Sequence, residues 1–152
     1  MRRVVVLLAL LTLVAGCGGD DAGGDSDDSS GGDASVFGLP VGTCFDDQDD
    51  GEISSVPAVD CSEPHDNEVF ALIDYTETDE YPGSDEMSEI GTDLCIEEFE
   101  AYVGLDYPSS ELEVFAIYPT EASWDDGDRE VICNLYDSDL DKLTGTMEGA
   151  AR

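Results

Sequence analysis

Five cysteines, Cys17, Cys44, Cys61, Cys95 and Cys133, constrain this chain more than any other feature of its sequence. An odd number in an exported protein needs an explanation, and the first of them carries its own. Met1-Arg2-Arg3 leads into Val4 to Val14, apolar but for Thr12. A basic start with so short an apolar run reads as a secretory leader, because a spanning helix needs roughly 20 apolar residues. The run closes on Leu13-Val14-Ala15-Gly16-Cys17, and small residues before a cysteine are similar to the bacterial lipobox. There the thiol is the nucleophile that takes a diacylglycerol, and small side chains let the backbone enter the peptidase. The expectation is a leader over 1–16, a lipid on Cys17 and a lipoprotein on the outer face of the cell membrane.

Four cysteines then remain for an oxidising compartment, where two disulfides with three possible connectivities are expected. The nearest-neighbour pairing, Cys44 with Cys61 and Cys95 with Cys133, is the one adopted here. Its first bridge would bracket a short polar loop, and its second would tie a helix to a strand.

Residues 18–36 hold six Gly, six Asp and four Ser and no aromatic, so nothing there offsets the entropy of ordering. We read 17–36 as the lipidated cysteine and a disordered tether. All twelve aromatics lie from Phe37 onward, which places the folded domain at 37–152. Three strands stand out there: Glu68 to Tyr75, Leu112 to Tyr118 and Glu130 to Tyr136. Each is rich in β-branched and aromatic residues and apolar on both alternating faces, as central strands are. Val41 to Phe45 and Ser55 to Val59 are weaker and are expected at the sheet edges.

Met87, Ile90, Leu94, Cys95, Phe99 and Tyr102 recur at helical spacing, with Ser84 as the expected N-cap and Gly104 as the stop. Glu98 falls on the same face and weakens the pattern. The fold class that follows is α+β: a small, mostly antiparallel sheet with one amphipathic helix and two disulfides.

Charge narrows the partners. The chain has 38 acidic residues against 5 basic ones, a formal net charge of −33. Within 37–152 only Arg129, Lys142 and Arg152 are basic, against 32 acids, leaving −29. Nucleic-acid binding through a basic surface is excluded, as is docking on anionic lipid by a polybasic patch. A partner should be cationic, or bridged by a divalent ion.

Several blocks stand out together: Val41-Gly42-Thr43-Cys44-Phe45, Val59-Asp60-Cys61-Ser62-Glu63-Pro64-His65-Asp66, Glu68-Val69-Phe70 and Tyr81-Pro82-Gly83. Later come Tyr118-Pro119-Thr120-Glu121-Ala122-Ser123-Trp124, Gly127-Asp128-Arg129, Val131-Ile132-Cys133 and Leu143-Thr144-Gly145-Thr146-Met147. Over about residues 39–149 the chain resembles the septum-formation domain of actinobacterial membrane proteins and lipoproteins. That resemblance implies a connection to cell division. It brings no catalytic residue with it.

The residues themselves offer candidates. His65 is the only histidine. Its Cys61-x3-His65 spacing could suggest metal, but Cys61 is more simply half of a disulfide, and a zinc site then lacks its soft ligands. A turn residue set by Pro64, bonded to backbone or to Asp66, is the expectation. Asp46-Asp47-Gln48-Asp49-Asp50-Gly51 resembles a calcium loop, but Pro57 stands where an EF-hand needs its bidentate Glu, so a solvated acidic turn is expected. Near Ser123, a turn cap, we expect Trp124 in the core and Arg129 paired with acids, with a partner-binding role as the second reading. Carboxylate spacing says nothing about a glycosidase pair where acids are so dense.

The functional expectation is therefore a non-enzymatic binding or scaffold module, with no cofactor, no metal and no catalytic residue. His65, Trp124, Asp128 and Arg129 are its candidate binding residues, and a protein or the cell wall is its partner. The alternatives are an envelope-acting enzyme that uses His65 with nearby acids, and a calcium-dependent module that uses Asp46 to Asp50.

Overall fold

The computed structural model describes residues 32–48 and 54–152. Six strands, β1 (Gly32–Ser35), β2 (Cys44–Phe45), β3 (Ser55–Val59), β4 (Asn67–Asp74), β5 (Leu112–Ile117) and β6 (Glu130–Asp137), form one sheet in the order β1-β3-β2-β4-β6-β5. Every neighbouring pair is antiparallel. With helix α1 (Ser84–Val103), a 3₁₀ turn (Tyr107–Ser109) and a short helix α2 (Glu121–Asp125), this is the expected α+β architecture.

The three strong strands pair through β6, which takes β4 on one side and β5 on the other. Val131, Cys133 and Leu135 of β6 face α1, as do Leu112 and Val114 of β5. On β4 a bulge between Val69 and Ala71 lets Phe70 and Ala71 both reach that core. Ile132 points the other way, into a second cluster with Val36, Leu39, Phe45, Val56 and Val69. Most apolar residues on both faces of these strands thus have partners, whereas Leu72 of β4 is exposed.

Helix α1 buries Met87, Gly91, Cys95, Phe99 and Val103, one residue in four. Ile90, Leu94 and Tyr102 flank that stripe half-buried, while Glu98 is exposed and does not interrupt it. Gly91 is the point of closest approach, where an added Cβ would stand 2.8 Å from Ala116 Cβ on β5. The N-cap is Gly83 rather than Ser84, and no side chain caps that end. The stop is as expected, with Gly104 left-handed (φ 82°) and its N–H donated to the Glu100 carbonyl.

Both disulfides join the expected pairs, Cys44–Cys61 and Cys95–Cys133, the second tying α1 to β6. Three local expectations are corrected. Gly32–Ser35, assigned to the disordered tether, pair along β3, and Val36 is buried behind them. Once β1 covers it, β3 is interior, and so is β2, which is only two residues long. The edges are β1 and β5 instead. Helix α2 was not anticipated beyond the Ser123 turn: Thr120 is its N-cap, and Thr120 and Ser123 each accept from the other's backbone N–H.

The last fifteen residues contain no helix or strand of their own, yet they are tied down. Leu143 exchanges backbone hydrogen bonds with His65, Gly145 donates to the Cys61 carbonyl, and Gly149 and Ala151 donate to the end of α1. Leu143 and Met147 enter the core from this segment.

Candidate functional site

Where the C-terminal segment crosses β4, a charged residue lies in the interior. Glu68 is 0 % exposed, within a strand whose neighbours Val69 and Phe70 are apolar. A carboxylate there must have its oxygens satisfied. One accepts from the Tyr102 and Thr146 hydroxyls, and the other accepts from the Met147 N–H at 2.7 Å. Glu68 therefore joins strand, helix and C-terminal segment. Burial, reinforced by the Glu68 carboxylate, pushes the Tyr102 phenol well above its ordinary range, so Tyr102 stays a donor.

His65 lies beside it, also 0 % exposed. Its Nδ1 is 2.9 Å from the Glu63 carbonyl, which can only accept, so Nδ1 donates, and in the neutral ring Nε2 is the nitrogen with the lone pair. Among the described residues that Nε2 has no hydrogen-bond partner. The backbone-bonded turn expected of His65 is present, but the hydrogen bond to Asp66 is not its ring's. Cys44 Sγ, a His65 ring nitrogen and a Glu68 carboxylate oxygen lie within 4.8 Å of one another. The signal for Glu68, missed in reading the sequence for sites, was an acid directly ahead of the apolar run Val69 to Ile73, three residues after the histidine.

Asp66 turns outward from the same stretch into a second feature. A groove of about 340 Å³ is walled by Asp47, Asp66, Asp137 and Asp141, with Phe115, Tyr136 and Leu140 as its apolar surface. Leu140 is 77 % exposed with a positive φ of 61°, an unusual combination for an apolar side chain. Lys142 reaches Asp46 and Asp66 at 2.7 Å each, and Arg152 reaches Asp137 at 2.6 Å. Burial works to raise the Asp66 carboxyl, but Lys142 and the Asp47 N–H outweigh it and hold it below the usual range. The Lys142 ammonium is held correspondingly higher by its two carboxylates. Asp46 of the calcium-like run is thus occupied by Lys142, and Asp47 accepts from the Asn67 amide. Asp49, Asp50 and Gly51 lie outside the described residues, as does Cys17.

Trp124, Asp128 and Arg129 come together around α2, away from the turn that holds His65. Trp124 is 3 % exposed, its Nε1 donating to the Asp79 carbonyl and its ring packed between Tyr75 and Tyr81. The Arg129 guanidinium lies 3.7 Å above the indole and donates to the Trp124 and Asp128 carbonyls. The expected pairing of Arg129 with acids is corrected: the described residues give it no ion pair, and the indole face and two carbonyls hold the cation instead. Asp128 accepts from the Glu130 N–H and sets the entry to β6.

Comparison with known proteins places these features in a family. No curated protein and no solved structure matches the chain. The septum-formation family matches residues 41–152, from the strand that carries Cys44 to the C-terminal segment bonded to Glu68. With most of its length matched, the chain belongs to the septum-formation family.

Proposed function

We propose that this protein is a non-enzymatic binding module of the cell envelope, held on the outer face of the membrane by a lipid on Cys17, and that it serves septum formation. The family supplies the link to cell division. The lipobox-like Leu13 to Cys17 and the Gly/Asp/Ser segment behind it support the anchor and a spacer.

One observation carries the binding mode. The folded part has three cations against 32 acids, and each cation is engaged internally: Arg129 on Trp124, Lys142 on Asp46 and Asp66, Arg152 on Asp137 and Glu111. The surface is thus left to its carboxylates, and it suits a cationic protein or cell-wall partner, directly or through divalent ions. Such attraction is screened beyond about 10 Å at 0.1 M salt.

The test is crosslinking of a tagged copy in dividing cells, followed by capture across a salt series. Partners enriched at the septum and lost as salt rises are expected. Capture indifferent to salt would remove the electrostatic part, and a uniform distribution around the cell would remove the septal part. Anchoring is read separately, because Cys17→Ala should move the protein from the membrane fraction to the soluble one.

A further inference from the structure

The cluster of Cys44, His65 and Glu68 has the makings of a metal site closed by a disulfide. Its three donor types, sulfur, imidazole nitrogen and carboxylate oxygen, stand within 4.8 Å of one another and are all buried. Donors around a tetrahedral zinc ion stand about 3.3–3.8 Å apart, so a shift of roughly 1 Å would bring them onto one ion. With Nδ1 donating to the Glu63 carbonyl, Nε2 is the nitrogen left to ligate once the ring is neutral, and among the described residues it has no hydrogen-bond partner. Glu68 accepts three hydrogen bonds, leaving about one of a carboxylate's four acceptor positions free. No cation pairs with it among the described residues.

What closes the site is the bond from Cys44 to Cys61. A disulfide sulfur is a poor ligand, whereas a thiolate is a strong one. Cys61 sits on a half-buried turn, so a reductant approaches from its side, while Cys44 is buried. Breaking the bond would leave the Cys44 sulfur next to His65 and Glu68 and free the Cys61 sulfur, until then bonded to it, to turn onto the same ion; two sulfurs, one imidazole and one carboxylate make a complete tetrahedral set. We infer that reduction of Cys44–Cys61 converts this cluster into a site for a zinc-class divalent ion bound by Cys44, Cys61, His65 and Glu68.

The chemistry balances with a dithiol as the reductant. It gives two electrons and two protons to the Cys44–Cys61 bond and becomes a cyclic disulfide. The ion then displaces the two thiol protons to solvent. Sulfur and imidazole donors select zinc-class ions over calcium, which prefers oxygen alone. The oxidised domain and the metal-bound reduced domain would be alternative closures of the same junction between β2, β4 and the C-terminal segment.

The test uses the full chain carrying Cys17→Ser, so that the leader cysteine adds no ligand, with Co²⁺ as the probe. Oxidised protein should give no thiolate-to-cobalt absorption. After reduction by a phosphine, which leaves as its oxide with an oxygen from water, one equivalent of Co²⁺ should give that absorption and the visible bands of a tetrahedral site. Zn²⁺ should bleach both and raise the melting temperature of the reduced chain. His65→Ala should weaken Co²⁺ binding at least about tenfold, since losing a ligand costs no less than losing an outer partner. Cys44→Ser with Cys61→Ser should abolish the bands while Cys95 and Cys133 remain. Zinc-edge X-ray absorption of the reduced chain without these variants needs no variant to fold, and it should report two sulfurs with imidazole. Absence of cobalt bands after reduction, binding indifferent to His65, or a zinc shell of four sulfurs would each overturn the inference.

Discussion

The two disulfides sit in contrasting surroundings. Cys95–Cys133 lies in the apolar layer between α1 and the sheet, among Phe70, Phe99, Val131 and Leu135. Cys44–Cys61 lies two strands across the sheet, on β2, beside His65 and Glu68, where the C-terminal segment crosses. The first region is held by buried hydrocarbon, with the cross-link added to it. The second is held by hydrogen bonds to one carboxylate, by backbone bonds to the C-terminal segment and by a cross-link with one half-buried end. An apolar layer loses stability gradually when trimmed, because its contacts are many and small. A polar junction fails at single atoms, because each buried donor left without its acceptor bears the full desolvation cost.

The sharpest way to break this contrast is at the bridges themselves. Chain-entropy arguments give a bridge over 38 residues about 4 kcal/mol and one over 17 residues about 3 kcal/mol. Replacing Cys95 and Cys133 together by Ala should therefore lower the unfolding free energy in urea more than replacing Cys44 and Cys61. The reverse order would mean that the polar junction, not the apolar layer, carries the domain.

Glu68→Gln tests that junction without touching a cysteine. The amide keeps the shape, but it removes the charge and can turn a donor toward the Met147 N–H, so a loss of about 3 kcal/mol is expected. Amide exchange should then quicken over 143–151 before it quickens in α1. Uniform exchange would show that the C-terminal segment does not depend on Glu68.

On the apolar side, Gly91→Ala asks how close the packing is. The added methyl meets a Cβ fixed to the β5 backbone, so the helix must move, at a cost of about 1–3 kcal/mol in thermal or urea unfolding. A neutral result would mean that the layer is looser than its geometry.

The smallest expected effect is with pH, and its sign separates two carboxyls. Asp66 is held low, so its contribution is present above the unfolded carboxyl value of about 3.9 and is lost as pH falls through the folded one. Glu130 is held high by burial and by Asp74 and Asp128, so its ionised form costs stability, and protonating it on acidification returns some. Each is under about 1 kcal/mol at these partly exposed positions. The melting temperature should rise slightly from neutral pH toward about 5 and fall below about 4. A monotonic fall from neutrality would remove the Glu130 effect.

Much of the fold could be read directly. The strong strands and α1 announce themselves because short runs of β-branched and aromatic residues, and an apolar spacing near four, have few other solutions, and nearest-neighbour cysteines made the right bridges. The edges could not be read this way. Gly32-Asp33-Ala34-Ser35 has the composition of a tether, and only the exposed backbone of β3 makes it a strand. The candidate site was legible in part. His65 was visible as the lone histidine, whereas Glu68 was hidden by its own strand pattern, and the donors that satisfy it lie 34 to 79 residues away.

The sequence by itself determined the α+β class, a set of four cysteines for two bridges, and the acid excess of the domain. These are local or compositional properties, legible wherever side-chain type and spacing are known. Only the tertiary structure decided that Arg129 rests on an indole rather than on an acid, that the C-terminal segment closes over Glu68, and that Cys44, His65 and Glu68 meet. Those outcomes depend on which distant groups share a low-dielectric interior. That is set by the packing of the whole chain and not by any stretch of it.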